Sequence, residues 1–174
     1  MNIKAELEKI YDNDQKLRKE WDILSKKYDK ESEEIKNHLN KIAKNEKENL
    51  IKIESIISKH GWPAKEEVGT KGLYAIWLVI QHSNKKIMLK YYNYLEKLIQ
   101  DGLISKSDFA TFKDRLLILQ GKKQIYGTQY IYDEKHKKYR LEPIENINEV
   151  NNLRKEVGLP PLKTIKKNRK KEIK

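Results

Sequence analysis

Cysteine is absent from the 174 residues of the chain, which excludes disulfide bonds and thiolate metal sites. The residues from Met1 to Glu6 mix charged and apolar side chains and lack the apolar stretch of a secretory signal peptide. The longest apolar run, Leu73–Ile80, is far shorter than the roughly 20 residues that span a bilayer. We therefore expect a cytoplasmic protein without membrane association, long enough to bury the core of one domain.

Acidic residues are fewer than basic ones, 26 against 38, so the formal net charge is +12. Residues 163–174 hold seven Lys or Arg and one Glu, a net charge of +6, which leaves +6 spread over residues 1–162. We expect residues 1–162 to form a single mainly helical domain and residues 163–174 to form a basic, disordered tail. The alternative is that the tail attracts nucleic acid or anionic lipid non-specifically.

Glycine and proline are absent from residues 1–60. Apolar residues recur there at steps of three and four, the spacing of a packed helical seam. They are Ile3, Leu7, Ile10, Leu17, Trp21, Leu24 and Tyr28, followed by Ile35, Leu39, Ile42, Ile53 and Ile56. Because the spacing slips near residues 29–32, we expect two helices of about 25 residues folded into an antiparallel hairpin, with one continuous helix as the alternative. Gly61 and Pro63 end the second helix.

The remaining sequence predicts three further helices, a short fourth helix and one β-hairpin. We expect a loop over Gly69–Gly72, a buried helix over Leu73–His82, an amphipathic helix over Ile87–Ile99, a helix from Ser105 to Gly121, and a short helix over Asn148–Val157. Residues 124–141 are rich in aromatic and β-branched side chains, which is typical of a hairpin. The predicted fold class is mainly α, with an N-terminal antiparallel helical hairpin packed on three further helices and a small β-hairpin near residues 124–141.

Polar residues interrupt the apolar seams of the first two helices. Asp14 occupies a seam position in the first helix, and Glu46 and Asn49 occupy seam positions in the second. A fold near residue 30 would place Asp14 and Glu46 at one level, whereas one continuous helix would separate them by about 48 Å. Arg18, one turn from Asp14, can neutralise it. These residues either fix the register of the hairpin or line a cavity that binds a ligand or cation.

Short polar motifs follow one another along almost the whole chain. They are Asp14-Gln15-x-x-Arg18, Asn49, Gly61-Trp62-Pro63, Gln81-His82, Asp114-Arg115, Gln124-x-Tyr126-Gly127-Thr128-Gln129, Pro143-Ile144, Arg154 and Val157-Gly158-Leu159-x-x-Leu162. In this order and spacing the chain resembles an uncharacterised bacterial family, known as a domain of unknown function. Glu46 departs from the pattern, where Asp is expected. The resemblance implies a domain and no particular activity.

The polar residues in these motifs are typical of a ligand pocket rather than of a protein–protein surface. We expect an enzyme that acts on an anionic or highly polar small molecule by general acid–base chemistry. His82 would be the acid or base, and Asp114 would orient His82 or Arg115. The expected substrate-binding residues are Asp14, Gln15, Arg18, Asn49, Gln81, Arg115, Gln124, Tyr126, Thr128 and Gln129.

No nucleophile motif, phosphate loop or dinucleotide fingerprint occurs in the sequence, so we expect neither a covalent mechanism nor a cofactor. A metal-dependent variant would use Asp14, Glu46 and His82 as ligands, but the arginines oppose a cation and we expect no metal. Two alternatives remain. One is a non-catalytic ligand-binding or regulatory module with the same pocket, and the other is a nucleic-acid-associated helical protein that uses its basic tail.

Overall fold

A computed structural model describes residues 2–136 and 138–162. This part of the chain is mainly helical, as predicted, with helices α1 (Ile3–Lys27), α2 (Glu33–His60), α3 (Lys65–Gln81), α4 (Lys85–Gln100), α5 (Lys106–Leu119) and α6 (Val150–Glu156) and strands β1 (Tyr130–Asp133) and β2 (Lys138–Leu141). None of the helices described is long and apolar enough to cross a membrane. The predicted basic tail, residues 163–174, lies outside the described residues.

The chain forms two compact units, Met1–Ser83 and Asn84–Lys174. The expectation of a single domain over residues 1–162 stays a prediction.

The first unit begins with two helices that separate where the seam spacing slips. Tyr28 ends α1 in an extended conformation, and the Ser32 side chain caps α2 by accepting a hydrogen bond from the backbone N–H of Ile35. The two seams are buried only in part: Leu7 and Ile53 are fully buried, whereas Leu39 is 45% exposed and His38 is buried beside it. The prediction of two helices is therefore confirmed, and the alternative of one continuous helix is wrong.

Helix α3 runs through the residues where a loop was expected. The prediction of a loop over Gly69–Gly72 is wrong. These residues belong to α3, which is kinked at Gly69. Gly69 has φ 69° and ψ 172°, a conformation essentially reserved for glycine. Gly72 is helical, and a Cβ there would lie only 2.9 Å from Cβ of Val68. One glycine thus bends the helix and the other allows close packing.

The second unit contains helix α5, which starts at the predicted cap Ser105, and helix α4, which starts two residues before the predicted Ile87. Asn84 caps α4 by accepting a hydrogen bond from the N–H of Ile87 (3.1 Å), and Ser105 caps α5 by accepting one from the N–H of Asp108 (3.0 Å). Three aromatic rings meet between these helices. The Tyr92 ring lies 5.7 Å and 6.1 Å, centroid to centroid, from Phe109 and Phe112.

The β-hairpin is present but shorter than expected. Strands β1 and β2 are antiparallel, with Tyr130 opposite Leu141 and Asp133 opposite Lys138. Residues 124–129 were expected to belong to the first strand, and they instead form a loop with one isolated parallel bridge between Gln124 and Ile144. The physical reason is that buried side chains accept the hydrogen bonds of this loop, as described below.

Candidate functional site

The polar residues of the hairpin meet around Arg18 in the first unit. Nη2 of Arg18 lies 2.6 Å from Oε1 of Glu46 on α2 and 3.4 Å from Oδ1 of Asp14 on α1. Asp14 also accepts a hydrogen bond from Nε2 of Gln15 (3.2 Å) and is almost completely buried. The expectation that Asp14 and Glu46 meet at one level of the hairpin is confirmed. We call Asp14, Arg18, Glu46 and His82 the Arg18 cluster.

His82 joins the cluster from the end of α3. Its Nδ1 lies 3.9 Å from Oε1 of Glu46, the oxygen that Arg18 also contacts. The His82 and Glu46 side chains are 24% and 31% exposed, so the imidazole and the carboxylate are reachable from solvent. Asn49, one turn after Glu46 on α2, is buried at 4% exposure. The cluster therefore has a buried side, at Asp14 and Asn49, and an open side, at His82.

The direction of α3 relative to α1 follows from two contacts. A Cβ at Gly72 would lie 3.4 Å from Cδ1 of Leu7, and the Tyr74 ring lies 6.0 Å from the Tyr11 ring. Because the contacts advance along both helices together, α1 and α3 run in the same direction. Residues of α3 are therefore level with residues of α1 that lie a little over sixty positions earlier.

This register places two more polar side chains at the level of the Arg18 cluster. Trp77 and Gln81 are one turn apart on α3 and follow Tyr74 at helical spacing, so they share the face that Tyr74 presents to α1. Trp77 is level with the residues around Asp14, and Gln81 with the residues around Arg18. Sequence reasoning named Gln81 but missed Trp77, because it stands in an apolar run that predicts only core packing.

Three polar atoms on these residues are buried and make no hydrogen bond within the part of the chain that the structure describes. They are Nε of Arg18, Nε1 of Trp77 and Oε1 of Gln81. Two are donors and one is an acceptor. Buried polar groups without a partner are rare in folded proteins, and each costs about 1–3 kcal/mol. The described residues therefore leave these three atoms for water or a bound molecule to satisfy.

In the second unit, Asp114 organises the Gln124–Gln129 loop. Its carboxylate accepts hydrogen bonds from the backbone N–H of Ile125 (2.7 Å), of Tyr126 (3.0 and 3.2 Å) and of Thr128 (3.0 Å), and from the Thr128 hydroxyl (2.9 Å). Asp114 is fully buried on α5. Several N–H donors around one buried carboxylate stabilise its charge. These contacts show that Asp114 holds the backbone of the loop in place. Its expected orienting role toward His82 or Arg115 stays a prediction.

Gln124 closes the same loop with its side-chain amide. Nε2 donates to the backbone carbonyls of Gln129 (3.0 Å) and Glu142 (2.8 Å), and Oε1 accepts from the N–H of Gln129 (2.8 Å). The residue is completely buried. Because both N–H groups of the amide are used by the backbone, we place Gln124 in the scaffold of the loop rather than at a ligand.

Arg154 of α6 holds the loop from its other side. Its Nε donates to the carbonyl of Pro160 (2.6 Å), and its Nη1 donates to the carbonyls of Tyr126 (2.6 Å) and Gly127 (3.3 Å). Burial lowers the pKa of the Arg154 guanidinium, and the nearby phenol of Tyr130 and carboxylate of Asp114 oppose that shift. The sequence motifs included Arg154, but nothing in the sequence showed that it is buried.

The other predicted residues of the loop and of α5 differ in what their side chains contact. Gln129 donates from Nε2 to the carbonyl of Thr111 (3.3 Å) and to the hydroxyl of Thr128 (3.1 Å). Burial raises the pKa of the Tyr126 phenol, with smaller contributions from the carboxylates of Asp114 and Glu156. Tyr126 therefore stays neutral at physiological pH.

Arg115 follows Asp114 on α5 and is half-buried. The predicted site residues thus form one group in each unit. The expectation that both groups line a single pocket stays a prediction.

Metal binding finds no support in the residues described. Within residues 2–136 and 138–162, no three His, Asp or Glu side chains are grouped so that they could hold a metal ion. Asp14, Glu46 and His82 were the ligands of the metal-dependent variant, and the cation near them is the guanidinium of Arg18.

Comparison with known proteins gives one match. Residues 1–170 match a family of unknown function, DUF6624. The resemblance to an uncharacterised domain family is therefore confirmed. No curated protein and no solved structure matches the chain.

Proposed function

We propose that this chain, which belongs to the family of unknown function DUF6624, binds a small polar molecule at the Arg18 cluster and acts on it by general acid–base chemistry. The observation that carries the proposal is the approach of His82 Nδ1 to within 3.9 Å of Glu46 Oε1, with both side chains a quarter to a third exposed. An imidazole beside a carboxylate, both open to solvent, is a common arrangement for proton transfer.

Each residue of the cluster has a distinct role in this proposal. His82 transfers the proton, because histidine titrates closest to neutral pH. Glu46 orients the imidazole, and Arg18 fixes the Glu46 carboxylate through the 2.6 Å contact. Asp14, buried behind Arg18, holds the guanidinium in place. Catalytic contacts in a ligand-free site are often longer than in the complex, which suits the 3.9 Å separation.

The net charge of the Arg18 cluster limits the chemical class of ligand that can bind there. Arg18 was among the residues expected to bind an anionic or highly polar substrate, but its Nη2 already faces the carboxylates of Asp14 and Glu46. Two carboxylates and one guanidinium leave a net charge of −1 before the imidazole is counted, which disfavours an anion. Of the two ligand kinds that the sequence suggests, we retain the highly polar one.

We further propose a cytoplasmic location, because a reducing compartment suits a chain without cysteine.

The experiment that tests the proposal compares a variant of His82 with a matched control. A panel of uncharged polar metabolites is screened by thermal shift, and each stabilising compound is incubated with the protein and followed by mass spectrometry. His82→Asn is expected to keep the thermal shift and to lower turnover by about 10²- to 10⁴-fold. His60→Asn, at the exposed end of α2, is expected to change neither.

Two results would count against an enzyme at this site. Turnover that is equal in the wild type and His82→Asn would remove His82 from the chemistry. A compound that binds at the cluster and stays unchanged in every wild-type incubation would identify the chain as a non-catalytic binding module.

A further inference from the structure

We infer that the group recognised at the Arg18 cluster is an uncharged carboxamide or ureido group, one that offers a carbonyl acceptor and an N–H donor together. The inference rests on the proposed function and deepens it, because it names the chemical class of the ligand. It comes from the three buried polar atoms that the fold leaves without a hydrogen bond, combined with the charges around them.

The strongest of these observations is Trp77. Its side chain is buried at 3% exposure, and its indole N–H has no acceptor in residues 2–136 and 138–162. A buried indole N–H usually has a hydrogen-bond partner in a folded protein. The N–H therefore requires an acceptor that the described residues do not supply.

Arg18 and Gln81 add one donor and one acceptor at the neighbouring level. Nε of Arg18 is buried and makes no hydrogen bond in the described chain, although Nη2 of the same guanidinium contacts two carboxylates. Oε1 of Gln81 is likewise buried without a hydrogen bond there. A ligand that satisfies all three atoms must accept from two N–H groups and donate to one carbonyl oxygen.

Charge and hydrogen-bonding capacity together exclude a carboxylate and an ammonium group as the recognised group. A carboxylate would accept from both N–H groups, but it has no hydrogen to donate to Gln81 and would bring a third negative charge next to Asp14 and Glu46. An ammonium group would donate to Gln81 and has no lone pair for the two donors. An amide or urea carbonyl has two acceptor lone pairs and a neighbouring N–H, without net charge.

The test observes the donors directly in the ¹⁵N-labelled full chain. Trp77→Phe, which keeps an aromatic ring and loses the N–H, assigns the indole signal of Trp77, and Arg18→Lys assigns the Nε–H signal of Arg18. The wild type is then titrated with acetamide, N-methylurea, acetate and ethylene glycol. We expect acetamide and N-methylurea to shift both signals saturably, with apparent affinity at least about 10-fold above that of acetate or ethylene glycol.

Affinity for acetamide is expected to fall about 5- to 10-fold in Trp77→Phe and to stay unchanged in the control Trp62→Phe. The wild-type titration stands even if Trp77→Phe folds poorly. If acetate binds as tightly as acetamide or more tightly, the inference that the recognised group is uncharged is wrong. If ethylene glycol binds more tightly than acetamide, the inference that the group is a carboxamide or ureido group is wrong. If no probe shifts either signal, buried water satisfies these atoms and the inference fails. The proposed function fails by a different result, unchanged turnover in His82→Asn.

Discussion

Asp114 and Thr128 are joined by two hydrogen bonds to one oxygen. Oδ2 of Asp114 accepts from the backbone N–H of Thr128 at 3.0 Å and from its hydroxyl at 2.9 Å. The carboxylate comes from a helix, and the threonine lies fourteen residues later in a loop without regular structure. The backbone N–H groups of the loop thus donate to a buried side chain, whereas those of a strand would donate to the backbone of a neighbouring strand.

Asp114→Asn is expected to destabilise the second unit by about 2–4 kcal/mol. The amide keeps the size of the carboxylate, but its NH₂ group faces N–H donors, so the buried backbone of Ile125, Tyr126 and Thr128 loses acceptors. Urea unfolding measures the free energy, and hydrogen exchange of these three amides measures the opening of the loop. Asp101→Asn, at an exposed helix end, is the control. Protection of the three amides that is unchanged in Asp114→Asn would contradict the anchoring role.

Arg154→Lys is expected to lower the free energy of unfolding by about 2–4 kcal/mol. A lysine ammonium cannot reproduce the fork that reaches the carbonyls of Tyr126, Gly127 and Pro160 together. Arg140→Lys, on the exposed face of β2, makes the same chemical change and is expected to be nearly neutral. Equal effects of the two substitutions in urea unfolding would show that the geometry of the fork is unimportant.

Two glycine substitutions in α3 separate conformational strain from crowding. Gly69→Ala is expected to cost about 1–3 kcal/mol through the backbone alone, since the nearest atom to a new Cβ is Cε of Lys4 at 3.8 Å. Gly72→Ala keeps an ordinary helical backbone and instead forces Cβ to within 2.9 Å of Cβ of Val68.

Crystal structures of the two variants distinguish these mechanisms. Gly69→Ala should alter φ and ψ at the kink, whereas Gly72→Ala should displace Val68 and leave the kink as it is. A Gly69→Ala protein as stable as the wild type would mean that the kink carries no strain.

Alkaline pH is expected to destabilise the second unit through Tyr126. Burial raises the pKa of its phenol above the ordinary value of 10.0, so the folded state favours the neutral form. This contribution is fully present below pH 10.0 and is lost as the pH rises from there through the raised pKa of the folded state.

Urea unfolding at pH 9, 10 and 11 should show the wild type losing more stability than Tyr126→Phe over the upper interval. Burial also raises the pKa of Tyr92, so Tyr126→Phe is expected to keep a residual loss of stability at high pH. Parallel curves for the two proteins would exclude Tyr126 as the cause.

The sequence predicted the helical hairpin because its signal is local. Apolar steps of three and four fix a helix, and the slip near residues 29–32 fixes the turn. In an antiparallel hairpin, two residues at equal sequence distance from the turn lie at the same level. Asp14 and Glu46 are such a pair, so the sequence predicted two of the four residues of the Arg18 cluster. The Gly69–Gly72 prediction failed because two glycines in a loop-like spacing can also serve a kink and a close helix contact, and only packing against Val68 and Leu7 distinguishes these uses.

The loop of the second unit was beyond sequence reasoning for a different reason. Its residues alternate like a strand, and that pattern cannot reveal that Asp114, eleven or more positions earlier, accepts the backbone hydrogen bonds. Trp77 was hidden in the same way, since an apolar run predicts burial and says nothing about an N–H without an acceptor. A single sequence predicts structure mainly through the periodicity of its apolar residues. Polar contacts between residues far apart in the sequence leave no periodic pattern, so they could not be predicted.

The Gln124–Gln129 loop depends on partners that are synthesised after it. The N–H of Gln124 donates to the carbonyl of Pro143, and Arg154 and Pro160 complete the enclosure. During translation, Asp114 and Gln124 are therefore made before the residues that complete their surroundings. The loop can reach its final arrangement only when the chain has been made through residue 160, so nascent chains arrested before that point should leave this segment open to proteases.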